Sequence, residues 1–188
     1  MKIDFDKASL VSEYNGSGED TKKVLRRLFG EDMFKSVTER VKTYEDACRE
    51  LGRQPDSFDY LPEGCRRRVS AMLKLETIIE ALNEGWVPPF DGMTWMYWPW
   101  FWLYNDEEAA EMSDEEKEKC SLRELEGGVL FGGYAHHGAG AGFAFANSNN
   151  VPSNATACVG SRLCLKTKEL AAYCGRQFID LWIDFRLS

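Results

Sequence analysis

The sequence predicts an α+β fold, and three observations carry this prediction. Apolar residues recur at helical spacing over residues 62–82, which indicates a long amphipathic helix that Gly85 ends. A strand-like aromatic segment, residues 95–104, follows a turn rich in proline and glycine. Residues 127–166 hold so many glycines, each costing a helix about 1 kcal/mol relative to alanine, that strand, turn and loop are predicted there.

The chain before the long helix is predicted to be mainly helical. Residues 1–15 alternate weakly between apolar and polar side chains, which predicts an edge strand or an unanchored arm. Ser17 and Asp20 are candidate caps of a helix that ends at Gly30. A further helix is predicted to begin near Thr43.

The C-terminal half is predicted to combine a sheet with one more long helix. Residues 112–119 are predicted to form a solvated helical turn that Ser113 caps. After Lys166 the helical period returns, and Thr167 can cap a helix whose apolar face extends over residues 170–185. A face of this size would not stay in water, so we expect the helix to pack on the sheet.

These elements predict a single domain over residues 1–188. Its parts are a mainly helical part over 1–85, a sheet-and-loop part over 86–166 and a C-terminal helix over 167–188. The length supports this interpretation, because domains commonly contain roughly 100–200 residues. The sheet is expected to be small, twisted and antiparallel, with long glycine-rich loops.

Charge and composition exclude several classes of function. A formal net charge of −8 argues against general nucleic-acid binding and against an anionic membrane surface, because both need a basic patch. The local exception, Arg66 to Arg68, is predicted to be a solvated helix start. The aromatic run over residues 95–104 is too short to span a bilayer, which needs about 20 apolar residues.

The cysteines and histidines predict no metal and no cofactor. The six cysteines form no CxxC pair, and residues 1–10 do not resemble a secretory leader. We therefore expect reduced thiols, no secretion by a signal peptide, and a cytoplasmic or virion-associated protein. His136 and His137 are adjacent and have no cysteine near them in sequence, which makes a metal site awkward.

Candidate ligand-binding residues fall in two groups. A stacking surface for a sugar, base or other planar ligand could come from Trp95, Trp98, Trp100 and Trp102, with at most two of these rings at the surface and the others in the core. Trp98 and Trp100 are the two that we take as ligand-binding candidates. The second group lies in the glycine-rich segment and in a polar loop after it, where amides and rings offer contacts but also suit ordinary loop positions. It consists of Tyr134, His136, His137, Asn147, Asn149, Asn150 and Asn154.

Several motifs resemble uncharacterised proteins carried by phages and prophages of Bacteroidales bacteria. This resemblance covers about half of the chain and implies a viral or mobile-element origin, but it brings no activity with it. Its motifs are Gly85-Trp86-Val87-Pro88, Pro99-Trp100-Phe101, Val159 to Lys166, Glu169-Leu170-Ala171 and Gly175-Arg176-Gln177-Phe178.

A second resemblance covers residues 127–165 and concerns the end of the C-type-lectin-like fold. The versions that it resembles are the formylglycine-generating enzymes and the variable binding proteins that retroelements diversify in phages. It implies a small twisted sheet whose last loops bind ligands. The matching residues are Gly127-Gly128, Ala139 to Ala146, Pro152-Ser153-Asn154 and Gly160-Ser161-Arg162-Leu163.

The departures from that family bear on function. The family motif usually reads Gly-Phe-Arg and ends the chain, whereas here Gly160-Ser161-Arg162 precedes a long helix. No cysteine occurs over residues 134–142, where formylglycine-generating enzymes need a cysteine pair. Sulfatase-activating chemistry is therefore not expected.

Together these observations predict a non-enzymatic ligand-binding protein of phage or prophage type. Its partner would be a glycan, a small molecule or a host surface protein, and the chain could form a homo-oligomer. One alternative is an intracellular protein that sequesters a small nucleotide-like signal in a closed aromatic pocket. Another alternative is a structural virion subunit.

Overall fold

A computed structural model describes residues 6–89, 91, 93–104, 106–121, 123–124, 142–152 and 163–188. Within these residues the chain contains both helices and strands and is mostly helical, which confirms the mixed class predicted from the sequence. The chain divides into two compact units, Met1–Arg40 and Val41–Ser188. The single domain over residues 1–188 stays a prediction.

The first unit is helical in its described residues. An edge strand or arm was predicted over residues 1–15, but residues 7–15 are helical, so the prediction is wrong there. Asp6 starts this helix. Its carboxylate accepts hydrogen bonds from the Ser9 N–H at 3.3 Å and from the Ser9 hydroxyl at 2.6 Å. The elements are α1 (Lys7–Gly16), α2 (Glu19–Phe29), a 3₁₀ turn (Glu31–Phe34) and α3 (Val37–Arg40).

The helix predicted to end at Gly30 is confirmed, but its predicted caps are wrong. The N-cap of α2 is Gly18, which has no side chain to accept a hydrogen bond. Ser17 instead donates its hydroxyl to the Glu13 carbonyl at 2.7 Å, at the end of α1. Gly30 ends α2 with a φ of +83°, a conformation that favours glycine.

The second unit confirms three helix starts read from the sequence. Thr43 caps α4 in a capping box with Asp46, and Ser113 caps α7 in a capping box with Glu116. The long amphipathic helix is also present, as α5. The helices of this unit are α4 (Tyr44–Glu50), α5 (Glu63–Asn83), α6 (Asp106–Glu111), α7 (Asp114–Cys120), α8 (Lys168–Gln177) and α9 (Ile179–Leu187).

The prediction of one C-terminal helix over residues 167–188 is wrong. Thr167 does cap α8, accepting from the Leu170 N–H at 3.2 Å, but the helix stops at Phe178, where φ is −114° and ψ is +29°. The break has a packing reason. Helix α8 packs on the sheet and α9 packs on α5, so a single straight helix would not reach both partners.

The described strands are β1 (Trp95–Tyr104), β2 (Arg123–Glu124) and β3 (Gly142–Pro152), paired antiparallel in the order β1-β3-β2. Asn147, Asn149 and Asn150 therefore lie on a strand, and their prediction as loop residues is wrong. Asparagine has low strand propensity, but pairing with β1 overrides this local preference. The glycine-rich residues 125–141 lie outside the described residues.

Pro99 occupies the middle of β1 without breaking the pairing with β3. The Tyr97 N–H points to the outer edge of β1, where it donates to the Leu165 carbonyl at 3.1 Å. Because backbone direction repeats every second residue, the nitrogen of Pro99 also faces this outer edge. The missing N–H of proline thus removes no hydrogen bond between β1 and β3.

The buried side chain of Asn83, only 4% exposed, joins the end of α5 to the sheet. Its amide Nδ2 donates to the Cys164 carbonyl at 2.9 Å, and its Oδ1 accepts from the Lys166 N–H at 3.0 Å. On the other side of the same segment, Leu165 exchanges two backbone hydrogen bonds with Tyr97, at 3.1 and 2.7 Å. Asn83 therefore takes the place that a neighbouring strand would have.

The core of the second unit is built by α4, α5, the sheet and the two C-terminal helices, because α4 and α9 pack on α5 and α8 packs on the sheet. At the surface beside this core, Arg67 on α5 forms a salt bridge with Asp184 on α9, with 2.6 Å between Nη2 and Oδ1. The largest fully buried side chains are Val41, Cys48, Leu75, Ile78, Ile79, Leu82, Met96, Cys164, Leu165, Ile179 and Trp182.

We predict that Asn83→Ala lowers the free energy of unfolding by about 2–4 kcal/mol, because it removes both hydrogen bonds that this buried amide forms with residues 164 and 166. Urea denaturation followed by circular dichroism measures this loss. Gln177→Ala is the matched control: its exposed amide donates to the Lys42 carbonyl at 3.0 Å, and its loss should cost less than about 1 kcal/mol. Equal losses in the two variants would contradict the role assigned to Asn83.

Candidate functional site

The candidate residues divide between strands and undescribed segments. Tyr134, His136, His137 and Asn154 lie outside the described residues. The other candidates lie on β1 and β3: Trp98, Trp100, Asn147, Asn149 and Asn150.

The register of β1 and β3 brings the two predicted groups together. Trp98 pairs with Asn149, and Trp100 pairs with Asn147. Directly opposed residues of an antiparallel pair share a face of the sheet, as do residues two apart on one strand. These four backbone positions therefore lie on one face of the sheet, which we call the Trp–Asn face. Asn150 pairs with Tyr97 and belongs to the opposite face.

The tryptophans of β1 differ in exposure. Trp100 is 43% exposed, whereas Trp98 is 6% exposed and belongs to the core. On the Trp–Asn face, Trp100 is thus the ring that a ligand can reach. Trp95, which the sequence places among the four rings of a possible stacking surface, is 50% exposed.

A β-bulge adjoins the exposed ring of Trp100. Trp100 pairs with Asn147 and Phe101 pairs with Phe145, so Ala146 is an extra residue in β3. A bulge bends the bulged strand and increases its twist locally. Directly after the bulge, the Phe101 ring packs against buried Trp182 with centroids 5.3 Å apart. The ring of Phe101 therefore anchors β1 next to the exposed Trp100.

Two buried cysteines, Cys164 and Cys174, are not suited to catalysis or metal binding at neutral pH. Burial raises the pKa of the Cys164 thiol to about 11 and that of Cys174 to about 12. Burial raises the pKa of the Cys174 thiol, and the nearby Trp182 side chain partly offsets this rise. The buried indole N–H of Trp182 forms no hydrogen bond of normal geometry with the described residues. Neither cysteine forms a disulfide, and both thiols stay protonated at neutral pH, whereas the thiolate is the nucleophile and the metal ligand.

Metal binding also lacks a ligand set in the part of the chain that the structure describes. There, no group of three or more histidine, cysteine, aspartate or glutamate residues is arranged to hold an ion. Among the same residues, no helix is both long enough and apolar enough to cross a lipid bilayer.

Comparison with known proteins identifies no relative: no family model, curated protein or solved structure matches the chain significantly.

We predict that stability falls as the pH rises from 9 to 10. The unfolded chain loses its thiol protons in this range, while Cys164 and Cys174 keep theirs in the folded state, with pKa values of about 11 and 12. Each thiol should contribute a fall of up to about 1.4 kcal/mol per pH unit, which urea denaturation at several pH values measures.

Cys174→Ala should make this pH dependence less steep by about 1 kcal/mol per pH unit, whatever it does to stability at pH 7. Gln177→Ala, which removes no titratable group, is the control and should leave the slope unchanged. An unaltered slope in Cys174→Ala would show that burial does not perturb this thiol.

Proposed function

We propose that this chain is a non-enzymatic ligand-binding protein of phage or prophage type that recognises a glycan through the Trp–Asn face. The observation that carries the proposal is the register that sets exposed Trp100 opposite Asn147. A sugar presents an apolar face of C–H groups and a rim of hydroxyls. An aromatic ring stacks on the first, and an amide supplies both donors and acceptors to the second.

Charge narrows the class of glycan. The chain has a formal net charge of −8, so it repels carboxylated or sulfated sugars at long range. A neutral glycan avoids this repulsion and needs only stacking and hydrogen bonding. We therefore propose a neutral glycan of a host surface as the ligand.

The proposal includes the C-type-lectin-like relationship and the phage origin. Support comes from the antiparallel order β1-β3-β2 and from the glycine-rich sequence that leads into β3. The protein would be virion-associated or cytoplasmic in the producing cell. In either place the Trp–Asn face would act as a recognition surface.

The sequestering and structural alternatives have less support. A protein that sequesters a nucleotide-like signal needs the aromatic run to line a closed pocket, yet Trp95 and Trp100 are about half exposed. A structural virion subunit would cover such rings by assembly, which light scattering after size-exclusion chromatography detects. A glycan-binding surface needs one accessible ring beside polar groups.

A glycan array probed with the full chain tests the proposal, and Trp100→Ala and Trp95→Ala form a matched pair. Both variants remove an exposed tryptophan of β1, but Trp100 lies opposite Asn147 and Trp95 lies opposite Pro152. We expect Trp100→Ala to weaken binding at least tenfold, about 1.4 kcal/mol, and Trp95→Ala to weaken it less than twofold.

Two outcomes would reject this function. One is that the wild-type chain binds no neutral glycan on the array. The other is that the two variants lose binding equally, since this would place the contact elsewhere than on the Trp–Asn face. Thermal unfolding of both variants excludes a general loss of folding as the cause.

A further inference from the structure

Helix α2 leaves an apolar part of its surface exposed. Val24 and Leu28 lie one turn apart and are 56% and 69% exposed, and no residue of this helix is buried. Leu25 and Phe29 extend the same arc of the helix surface, and Phe29 is 36% exposed. Single exposed apolar side chains are common on protein surfaces, whereas several on one arc of a helix indicate a contact surface.

Two basic side chains occupy the inner side of α2, which faces α1. Lys22 and Arg26 lie over the ring of Tyr14, with 5.6 and 5.9 Å from their charged groups to the ring centroid. Tyr14 in turn stacks on Phe34 with the ring centroids 4.1 Å apart. Cation–π contacts thus form where apolar residues of an amphipathic helix usually pack. Val24, two residues after Lys22, is about half a turn away and therefore faces outward.

Positive charge borders the exposed apolar residues. Residues 21–29 include four basic and no acidic side chains. Arg27 forms no ion pair with any described residue. The Lys23 ammonium lies 3.8 Å from the Asp20 carboxylate, but these side chains are 71% and 103% exposed, and such a pair contributes little in water. We call the outer residues the α2 face: Lys23, Val24, Arg27 and Leu28.

A surface of opposite charge occurs on α6 and α7. Residues 106–119, which we call the acidic helices, include eight acidic and two basic side chains. Apolar positions lie among and beside them, since Ala110 is exposed, Met112 is half-buried, and Leu103, just before α6, is 44% exposed. Five exposed carboxylates accept no hydrogen bond and form no ion pair within the part of the chain that the structure describes: Glu107, Glu111, Asp114, Glu115 and Glu118.

We propose that the α2 face of one copy of this chain docks on the acidic helices of a second copy. Arg27 and Lys23 pair with the unpaired carboxylates, and Val24 and Leu28 pack on the apolar positions among them. Met112 suits this contact, because its flexible side chain fills irregular gaps. Charge favours this occupant over an anionic membrane, because the net charge of −8 repels such a surface.

The size and the symmetry of this contact determine its strength and its products. Helix α2 has 11 residues and is about 16 Å long, so it buries less than the roughly 800 Å² per partner of a standard interface. We therefore expect a dissociation constant on the order of 100 µM. The two surfaces differ, so each copy keeps one surface of each kind for a further copy. Sedimentation velocity of the full chain should show a mean mass that rises with concentration beyond that of a dimer.

Charge reversal on each side tests the pairing. Lys23→Glu with Arg27→Glu sets acid against acid, and Glu111→Lys with Glu118→Lys sets base against base, so each double variant alone should associate at least tenfold more weakly. An equimolar mixture of the two variants should associate again, because each reversed surface meets a reversed partner. The variants carry net charges of −12 and −4, because two reversals change −8 by four. Both stay negative, so a general attraction cannot cause the recovery.

Lys42→Glu with Lys168→Glu is the matched control. It has the same net charge of −12 as the variant of the α2 face, but its two exposed positions lie outside both surfaces. It should weaken association less than twofold. An equal loss in the two variants would overturn the proposal, and so would a mixture of the reversed variants that stays monomeric. Thermal unfolding of each variant excludes loss of folding as the cause.

The apolar part of the contact has its own pair of variants. Leu28→Ser should weaken association at least fivefold, because it removes an apolar side chain from the centre of the α2 face. Val87→Ser changes another aliphatic side chain, which is 77% exposed, and should weaken association less than 1.5-fold. Equal effects of these two variants would reject the assigned contact.

Two results would assign the α2 face differently. A wild-type chain that stays monomeric at every concentration would reject association through this face. A monomeric chain that sediments with vesicles of phosphatidylserine and phosphatidylcholine, and that loses this binding in Lys23→Glu with Arg27→Glu, would assign the face to a lipid surface. Both measurements are independent of the glycan array, because neither surface includes Trp100 or Asn147.

Discussion

The second unit depends on how one short segment, residues 164–166, is held on both of its edges. On one edge the side chain of Asn83 binds the Cys164 carbonyl and the Lys166 N–H. On the other edge Leu165 exchanges backbone hydrogen bonds with Tyr97 of β1. A buried polar group is costly when unpaired, and here the asparagine and the backbone satisfy each other. The amide thereby links a helix to a sheet without another strand.

The position of the candidate face follows from this link. The segment that Asn83 holds is hydrogen-bonded to β1, and in β1 the backbone position of Trp100 lies opposite that of Asn147 in β3. The carbonyl of the same Asn83 accepts the Trp86 N–H at 2.9 Å, which fixes the start of the segment that returns after α5. The end of a single helix therefore holds both the segment beside β1 and the chain that leads into β1.

Local signals in the sequence predicted the elements whose causes are local. The capping boxes at Thr43 and Ser113 use contacts three residues apart, and the apolar spacing of α5 is visible within the helix itself. Two errors differ in origin. Asp6 starts α1 through contacts only three residues apart, a local signal that the weak alternation of apolar residues obscures. The C-terminal helix was expected to be continuous, but Phe178 breaks it so that its halves reach different partners.

The same distinction applies to the candidate site. The sequence by itself determined which residue types were available: a run of tryptophans, a group of asparagines, a charge unsuited to anionic ligands and a long amphipathic helix. Only the tertiary structure decided that Trp98 is buried while Trp100 is exposed, that Asn147 lies opposite Trp100, and that Asn83 binds a distant segment. The reason is that composition and periodicity act over one or two turns of chain, whereas strand register, burial and side-chain pairing depend on residues far away in sequence.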